Sequence, residues 1–150
     1  LVGSEMCIRD RKGISPLISP ELLKVLDEMG HGDEIVLADA NFPSSSIGQR
    51  VIRADGIGTA ELLAAILPLF PLDQYDPEHF VLMEVVPGDT VVPVIWEAYK
   101  ALLNYYEPDT EVHKIERFAY YERAKKAYCV VATGEKAQYA NIILKKGVVK

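Results

Sequence analysis

The chain has 150 residues, of which 49% are apolar and 25% charged, with a formal net charge of -6. That length and balance suit one soluble globular domain with a proper core. The acidic surplus argues against a nucleic-acid binder, whose phosphate-facing surface needs the opposite sign, and no window approaches the run of about 18 apolar residues that spans a bilayer.

Residues 1–11 lack periodicity and carry an internal Met6, so they are read as a leader preceding a single domain over 12–150. No charged start followed by an apolar stretch marks a secretory signal, which makes a cytoplasmic location the expectation. The cysteines, Cys7 and Cys129, have no metal-ligand spacing, and Cys129 reads as a small buried apolar residue.

In chain order, Ser19-Pro20-Glu21 reads as an N-cap followed by proline at the first helical position, with Leu22, Val25, Leu26 and Met29 at helical spacing and Gly30 as the stop. The apolar run 35–38 is a short strand closed by Asp39, which therefore stands at a strand's carboxyl end, where open α/β sheets bind ligands. Residues 40–48 are rich in turn formers and read as a loop over that end. A short strand over 51–53 precedes Gly56-Ile57-Gly58 and then Thr59, the expected N-cap of a helix carrying Leu62, Leu63, Ile66 and Leu67 and ended by Pro68. The two glycines lack the third of a dinucleotide fingerprint and the Gly-Lys-Ser/Thr end of a P-loop.

Residues 80–86 form a near-continuous apolar run closed by Pro87-Gly88-Asp89, the pattern of a central strand. A helix from about Pro93 puts Ile95, Tyr99, Leu102 and Tyr106 on one face, with Trp96 as packing. Strands over 112–116, 128–133 and 141–144 flank a helix over 118–126 in which Glu122 and Lys126 pair. The basic clusters 123–126 and Lys145-Lys146 read as solvated faces, since no stacking aromatics interleave them. Strands alternating with helices predict an α/β fold: a single three-layer domain with a mainly parallel sheet flanked by helices.

Chemistry concentrates in Gly30-His31-Gly32-Asp33-Glu34, where a histidine follows a helix end between two glycines. With Asp33 and Asp39 near it in sequence, His31 has the equipment for acid–base work near neutral pH, although Gly-His-Gly is also a turn that Asp33 can cap. There is no zinc-ligand spacing, no Gly-x-Ser-x-Gly elbow and no complete nucleotide fingerprint. A cofactor-free proton transfer on a polar substrate, that is, isomerisation, epimerisation or hydrolysis, remains.

Dispersed segments carry a resemblance. Ile14-Ser15-Pro16-Leu17-Ile18-Ser19-Pro20-Glu21-Leu22-Leu23, Gly30-His31-Gly32-Asp33-Glu34, Ile52-Arg53-Ala54-Asp55-Gly56, Arg117-Phe118-Ala119-Tyr120-Tyr121-Glu122-Arg123-Ala124 and Tyr139-Ala140-Asn141-Ile142 stand in the order found in the RbsD/FucU family of sugar mutarotases, which the chain resembles from Lys12 onward. The resemblance implies an isomerase acting on a monosaccharide without a cofactor or metal. The fucose branch is the closer one, D-ribose pyranase activity is the alternative within the family, and a non-catalytic sugar-binding or regulatory protein is the alternative outside catalysis. It further implies His31 as proton donor, Asp39 as a sugar-binding carboxylate, Arg117 as a substrate contact and Tyr139, Ala140 and Asn141 as the substrate-binding segment, with Tyr121 or Tyr120 stacking on the sugar's apolar face. The family often has glycine where this chain has Ala140. Ring-shaped homo-oligomers, commonly decamers with sites near subunit boundaries, are the implied assembly, with neither nucleic acid nor membrane as partner.

Overall fold

Helix α1 (Pro20–Glu28) starts where Ser19 Oγ accepts the Leu22 N–H at 3.1 Å, satisfying a donor that a helix start leaves free, with Pro20 in the first helical position. Its C-cap is Met29, one residue before the expected stop at Gly30. The buried Lys146 Nζ donates to the carbonyls of Leu26 (2.6 Å) and Met29 (2.7 Å), so a cation from the far end of the chain does the terminating that a left-handed glycine would otherwise do. The structure, a computed structural model, describes residues 12–149; the expected leader and Cys7 lie outside the described residues.

Strand β1 (Glu34–Ala38) runs into Asp39. The expected loop 40–48 contains a one-turn helix, α2 (Ser44–Ile47), before β2 (Val51–Ala54). Helix α3 (Thr59–Ile66) takes Gly58 rather than Thr59 as its N-cap, because the Thr59 hydroxyl is engaged with Tyr99 Oη at 2.6 Å. Pro68 falls in a 3₁₀ turn, Leu67–Leu69, that closes it. Then come β3 (Phe80–Met83), α4 (Ile95–Tyr106), β4 (His113–Ile115), α5 (Arg117–Lys126), β5 (Cys129–Thr133) and β6 (Ile142–Lys145). In α4 the buried face is Trp96, Tyr99 and Leu103, while Tyr106 of the expected stripe is exposed. In α5 the ion pair is Lys125 with Glu122 at 2.8 Å, one residue short of the expected Lys126.

The sheet order is β2-β5-β1-β6-β3-β4, parallel throughout except for β6, which lies antiparallel to both β1 and β3. The mainly parallel α/β architecture is as the alternating pattern predicts. Side chains of a strand point alternately to the two faces, and here both faces are covered. Ile35, Leu37, Phe80, Leu82, Cys129, Val131, Ile142 and Leu144 meet α1, α3 and α4 on one side. Val36, Ala38, Val81, Met83, Val130 and Ile143 meet Phe42, Tyr120 and Ala124 on the other. This two-sided burial is why β1 and β5 read as unbroken apolar runs. Cys129 is a buried free thiol, as expected, and burial pushes it up to about 11.

Three of the basic positions read as solvated are in fact drawn into the protein, with Arg123 and Lys145 half-buried. Arg123 clasps Glu34 with contacts of 2.6–3.1 Å and donates to the Glu78 carbonyl at 2.7 Å, and Lys145 pairs with Asp76. Together they fasten α5, the start of β1, the end of β6 and the loop before β3 at one end of the strands. Lys146 is buried as well. Each cation has its charge or carbonyl partner, which is what allows it inside.

Candidate functional site

At the carboxyl ends of β1 and β3 and the start of antiparallel β6, a cavity of about 250 Å³ opens between Asp39, Asn41, Tyr121, Tyr139, Asn141 and Asp89, with Phe42 and Met83 as its apolar wall. Asp39 is only 6% exposed. Its main-chain N–H donates to Asn141 Oδ1 at 2.7 Å, and its carboxylate accepts the Asn41 N–H at 3.0 Å. Burial pushes the carboxyl up, backbone N–H groups of Asn41, Phe42 and Ala140 pull against this, and the charge of Glu135 adds to the rise; the result is a pKa above the ordinary value.

The 139–141 segment is clamped from α4. Trp96 Nε1 donates to the Tyr139 carbonyl at 2.7 Å and Tyr99 Oη donates to the Ala140 carbonyl at 2.7 Å. Trp96 is therefore a packing residue that also fixes the site's backbone. Tyr139 sits at φ 59, the left-handed conformation that non-glycine residues adopt only when their surroundings hold them there. The left-handed residue is thus Tyr139, and Ala140 makes no glycine-only demand. Tyr139 Oη donates to Asp89 Oδ2 at 2.5 Å and accepts the Val86 N–H at 3.2 Å. The Tyr139 bond, with the Val91 N–H, holds the Asp89 carboxyl below its usual range.

Of the adjacent tyrosines, Tyr121 lines the cavity, with its ring 5.6 Å from that of Phe42, and Tyr120 is core. Burial raises the Tyr120 phenol well above its ordinary range, and its hydroxyl has no hydrogen-bond partner among the described residues. Arg117 lies outside the cavity proper, exposed at the start of α5 over the Phe118 ring, yet its charge reaches the Tyr139 phenol. A second hollow of about 480 Å³ adjoins across Asp39 and Phe42 and includes Ser44, Arg53, Asp55 and Thr133. Asn141, Tyr121 and Tyr139 gather only on the first.

His31 stands at the opposite end of β1, an interior strand of the sheet. It precedes β1 and Asp39 follows it, so the five residues of the strand set them about 17 Å apart. The expected pairing of His31 with Asp39 does not occur within one chain. Asp33 turns back to accept the Gly30 N–H at 2.8 Å, the turn-capping role, and Gly32 at φ 89 lets the chain reverse. The carboxylate that meets His31 is Asp73, at 3.0 Å from Nε2. Sequence reading missed Asp73 and Asp89. Asp89 carried a signal, its place at the end of a strand, whereas Asp73 lies in a nonperiodic loop and carried none.

The start of α3 behind Gly56-Ile57-Gly58 is taken by the protein's own carboxylate, Glu135 Oε1, 3.2 Å from Thr59 N, which leaves no anion cradle there. Among the described residues no group of three or more His, Cys, Asp and Glu is placed to hold a metal ion.

Residues 12–149 match the family described as the RbsD / FucU transport protein family. Among solved structures, FucU from Bifidobacterium longum is similar at 56% identity with a TM-score of 0.90, over 93% of this chain and 100% of that one. The fucose mutarotase from Streptococcus pneumoniae, in complex with L-fucose, is similar at 52% identity and a TM-score of 0.89, with 93% and 100% covered. Bacillus subtilis RbsD, complexed with D-ribose, shares the fold at 21% identity and a TM-score of 0.69, with 94% and 100% covered.

Proposed function

We propose, from the premise that the chain belongs to the RbsD/FucU family, that it is an L-fucose mutarotase, an isomerase that interconverts the α and β anomers by acid–base ring opening and closing. The observation that carries this reading is the cavity beneath the carboxyl end of β1. A buried carboxylate, an amide, two phenols and an apolar wall converge on a space the size of one monosaccharide. A relative with 52% identity was solved with L-fucose bound. The D-ribose relative is likened by fold alone, so ribose ranks second as substrate.

Asp39 accepts from sugar hydroxyls. Asn141, whose Oδ1 is spent on the Asp39 N–H, offers its amide N–H groups. Tyr121 packs on the apolar face of the ring, Tyr139 and Ala140 hold the cavity's shape, and Arg117 donates from the rim. Opening requires the anomeric hydroxyl to lose a proton and the ring oxygen to gain one; the aldehyde then rotates and recloses on its other face. His31 moves that proton. Because His31 and Asp39 lie at opposite ends of β1, the histidine is supplied by a second copy, in a ring-shaped homo-oligomer, with the decamer as the expected size. A cytoplasmic setting without membrane or nucleic-acid partner goes with this reading; none of the helices among the described residues is long and apolar enough to cross a membrane.

Saturation-transfer NMR on L-fucose anomers tests the assignment. The wild-type protein accelerates anomer exchange, and His31→Ala at equal concentration loses a factor of about 10² to 10⁴. A wild-type protein that leaves L-fucose exchange at the solvent rate overturns it, and faster pyranose–furanose exchange on D-ribose transfers the assignment to the ribose activity.

A further inference from the structure

We infer that Trp96 is a positioning residue for this reaction: its indole N–H sets the left-handed turn at Tyr139, and with it the pose in which Tyr139, Ala140 and Asn141 meet the sugar. The inference rests on the reading of residues 139–141 as the sugar-binding segment.

Among the described residues Tyr139 is the one non-glycine at positive φ, 59. A residue with a Cβ crowds its own backbone there, so the conformation persists where bonds from outside impose it. Three bonds do so, all from α4 and the connection that leads into it. Trp96 Nε1 donates to the Tyr139 carbonyl at 2.7 Å, while Tyr139 Oη donates to Asp89 Oδ2 at 2.5 Å and accepts the Val86 N–H at 3.2 Å. The indole holds the main chain; the other two hold the phenol.

Trp96 and Tyr99 stand three apart on one face of α4, and both are buried. Tyr99 Oη donates to the Ala140 carbonyl at 2.7 Å and, with its one hydrogen spent, accepts from Thr59 Oγ1 at 2.6 Å. One helix face thus grips two successive carbonyls. The next residue, Asn141, accepts the Asp39 N–H through Oδ1 at 2.7 Å, so its amide N–H groups face the cavity only while the chain before it keeps its course. A Tyr139 released to negative φ would turn the peptide that leads to Asn141. The indole is itself held in place. It is 8% exposed, and Lys114 Nζ stands 4.7 Å from the ring centroid, an ammonium over the π face.

Residues 139–141 hold the sugar and do not carry its proton. An interaction shared by bound substrate and transition state changes the half-saturating concentration and leaves kcat in place. The positioning role therefore has a signature that packing alone lacks. Trp96 is also the chain's one tryptophan, so its indole N–H gives a single side-chain resonance that reports on the segment without any substitution.

L-fucose titrated into nitrogen-15-labelled wild type moves the indole resonance saturably, with the half-point that titration calorimetry gives. Trp96→Phe keeps an aromatic ring and deletes the donor. It raises the half-saturating L-fucose concentration for anomer exchange about 10-fold and keeps kcat within about 3-fold of wild type. An indole resonance that stays in place while calorimetry shows L-fucose bound overturns the inference, and this measurement needs no variant to fold. A Trp96→Phe protein with a lowered thermal midpoint but the wild-type half-saturating concentration overturns it as well, leaving Trp96 as packing. A wild-type protein that neither binds L-fucose nor speeds anomer exchange fails the functional reading itself, and the inference with it.

Discussion

Asp39 carries opposite demands. It is buried enough for its carboxyl to be raised above the ordinary value, and it is also the group proposed to receive sugar hydroxyls. A carboxylate kept where its charge costs free energy binds donors strongly, since few waters compete for it. Asp39→Asn retains an oxygen for the Asn41 N–H and forfeits the charge. Its expected loss in L-fucose affinity is about 1.5–3 kcal/mol, read by titration calorimetry. Stability moves the other way. A raised folded pKa means that the folded chain holds the proton longer than the unfolded one, so stability falls as pH rises through the window from the ordinary carboxylate value to the raised one. Asparagine does not titrate. The variant's thermal midpoint should therefore match wild type below that window and exceed it above. A variant that is less stable at neutral pH would show that Asp39 serves the fold.

Among the elements, α5 was the one whose sequence misled. Its helical span is near the expected one, but Arg123 in a run of charged residues looked solvated and is instead the clasp on Glu34. A local window cannot show that a carboxylate far away in the chain will arrive to partner it. The same reason hides Lys146, which finds the end of α1, and Asp73, which finds His31. What was legible is what local chemistry determines: the Ser19-Pro20 start, the apolar run of β1 and its closure by Asp39, and alternation that implies a two-sided sheet. The reversed direction of β6 was not legible, because an apolar run reads the same for either strand direction. Arg123→Ala leaves the half-buried Glu34 beside its remaining cation alone, with Lys145 at 3.7 Å. Urea unfolding should show a loss of about 3–5 kcal/mol. A loss under about 1 kcal/mol, the worth of an exposed ion pair, would put the clasp at the surface.

For the whole molecule, the sheet sets the problem. The carboxyl end of β1 holds the sugar cavity and its amino end holds His31, and no rotamer spans a strand's length. If the reaction needs both, each site draws on two chains through a heterologous contact in which the His31 end of one copy meets the next copy's cavity, a pattern that closes into a ring when the rotation permits. This makes a sharp expectation for mixtures. His31→Ala and Asp39→Asn are each defective as pure oligomers. In mixed oligomers formed at equal amounts, about one quarter of the sites pair an intact His31 with an intact Asp39 from different copies. Co-refolding the two variants should restore L-fucose anomer exchange to about that fraction of wild type, while mixing them without subunit exchange restores none. Recovery absent from co-refolded material of native mass would mean that His31 and Asp39 do not meet across copies, and the proton donor would then have to be sought among groups at the cavity's own end of the sheet, with Asp39 itself, raised by burial, the first to test.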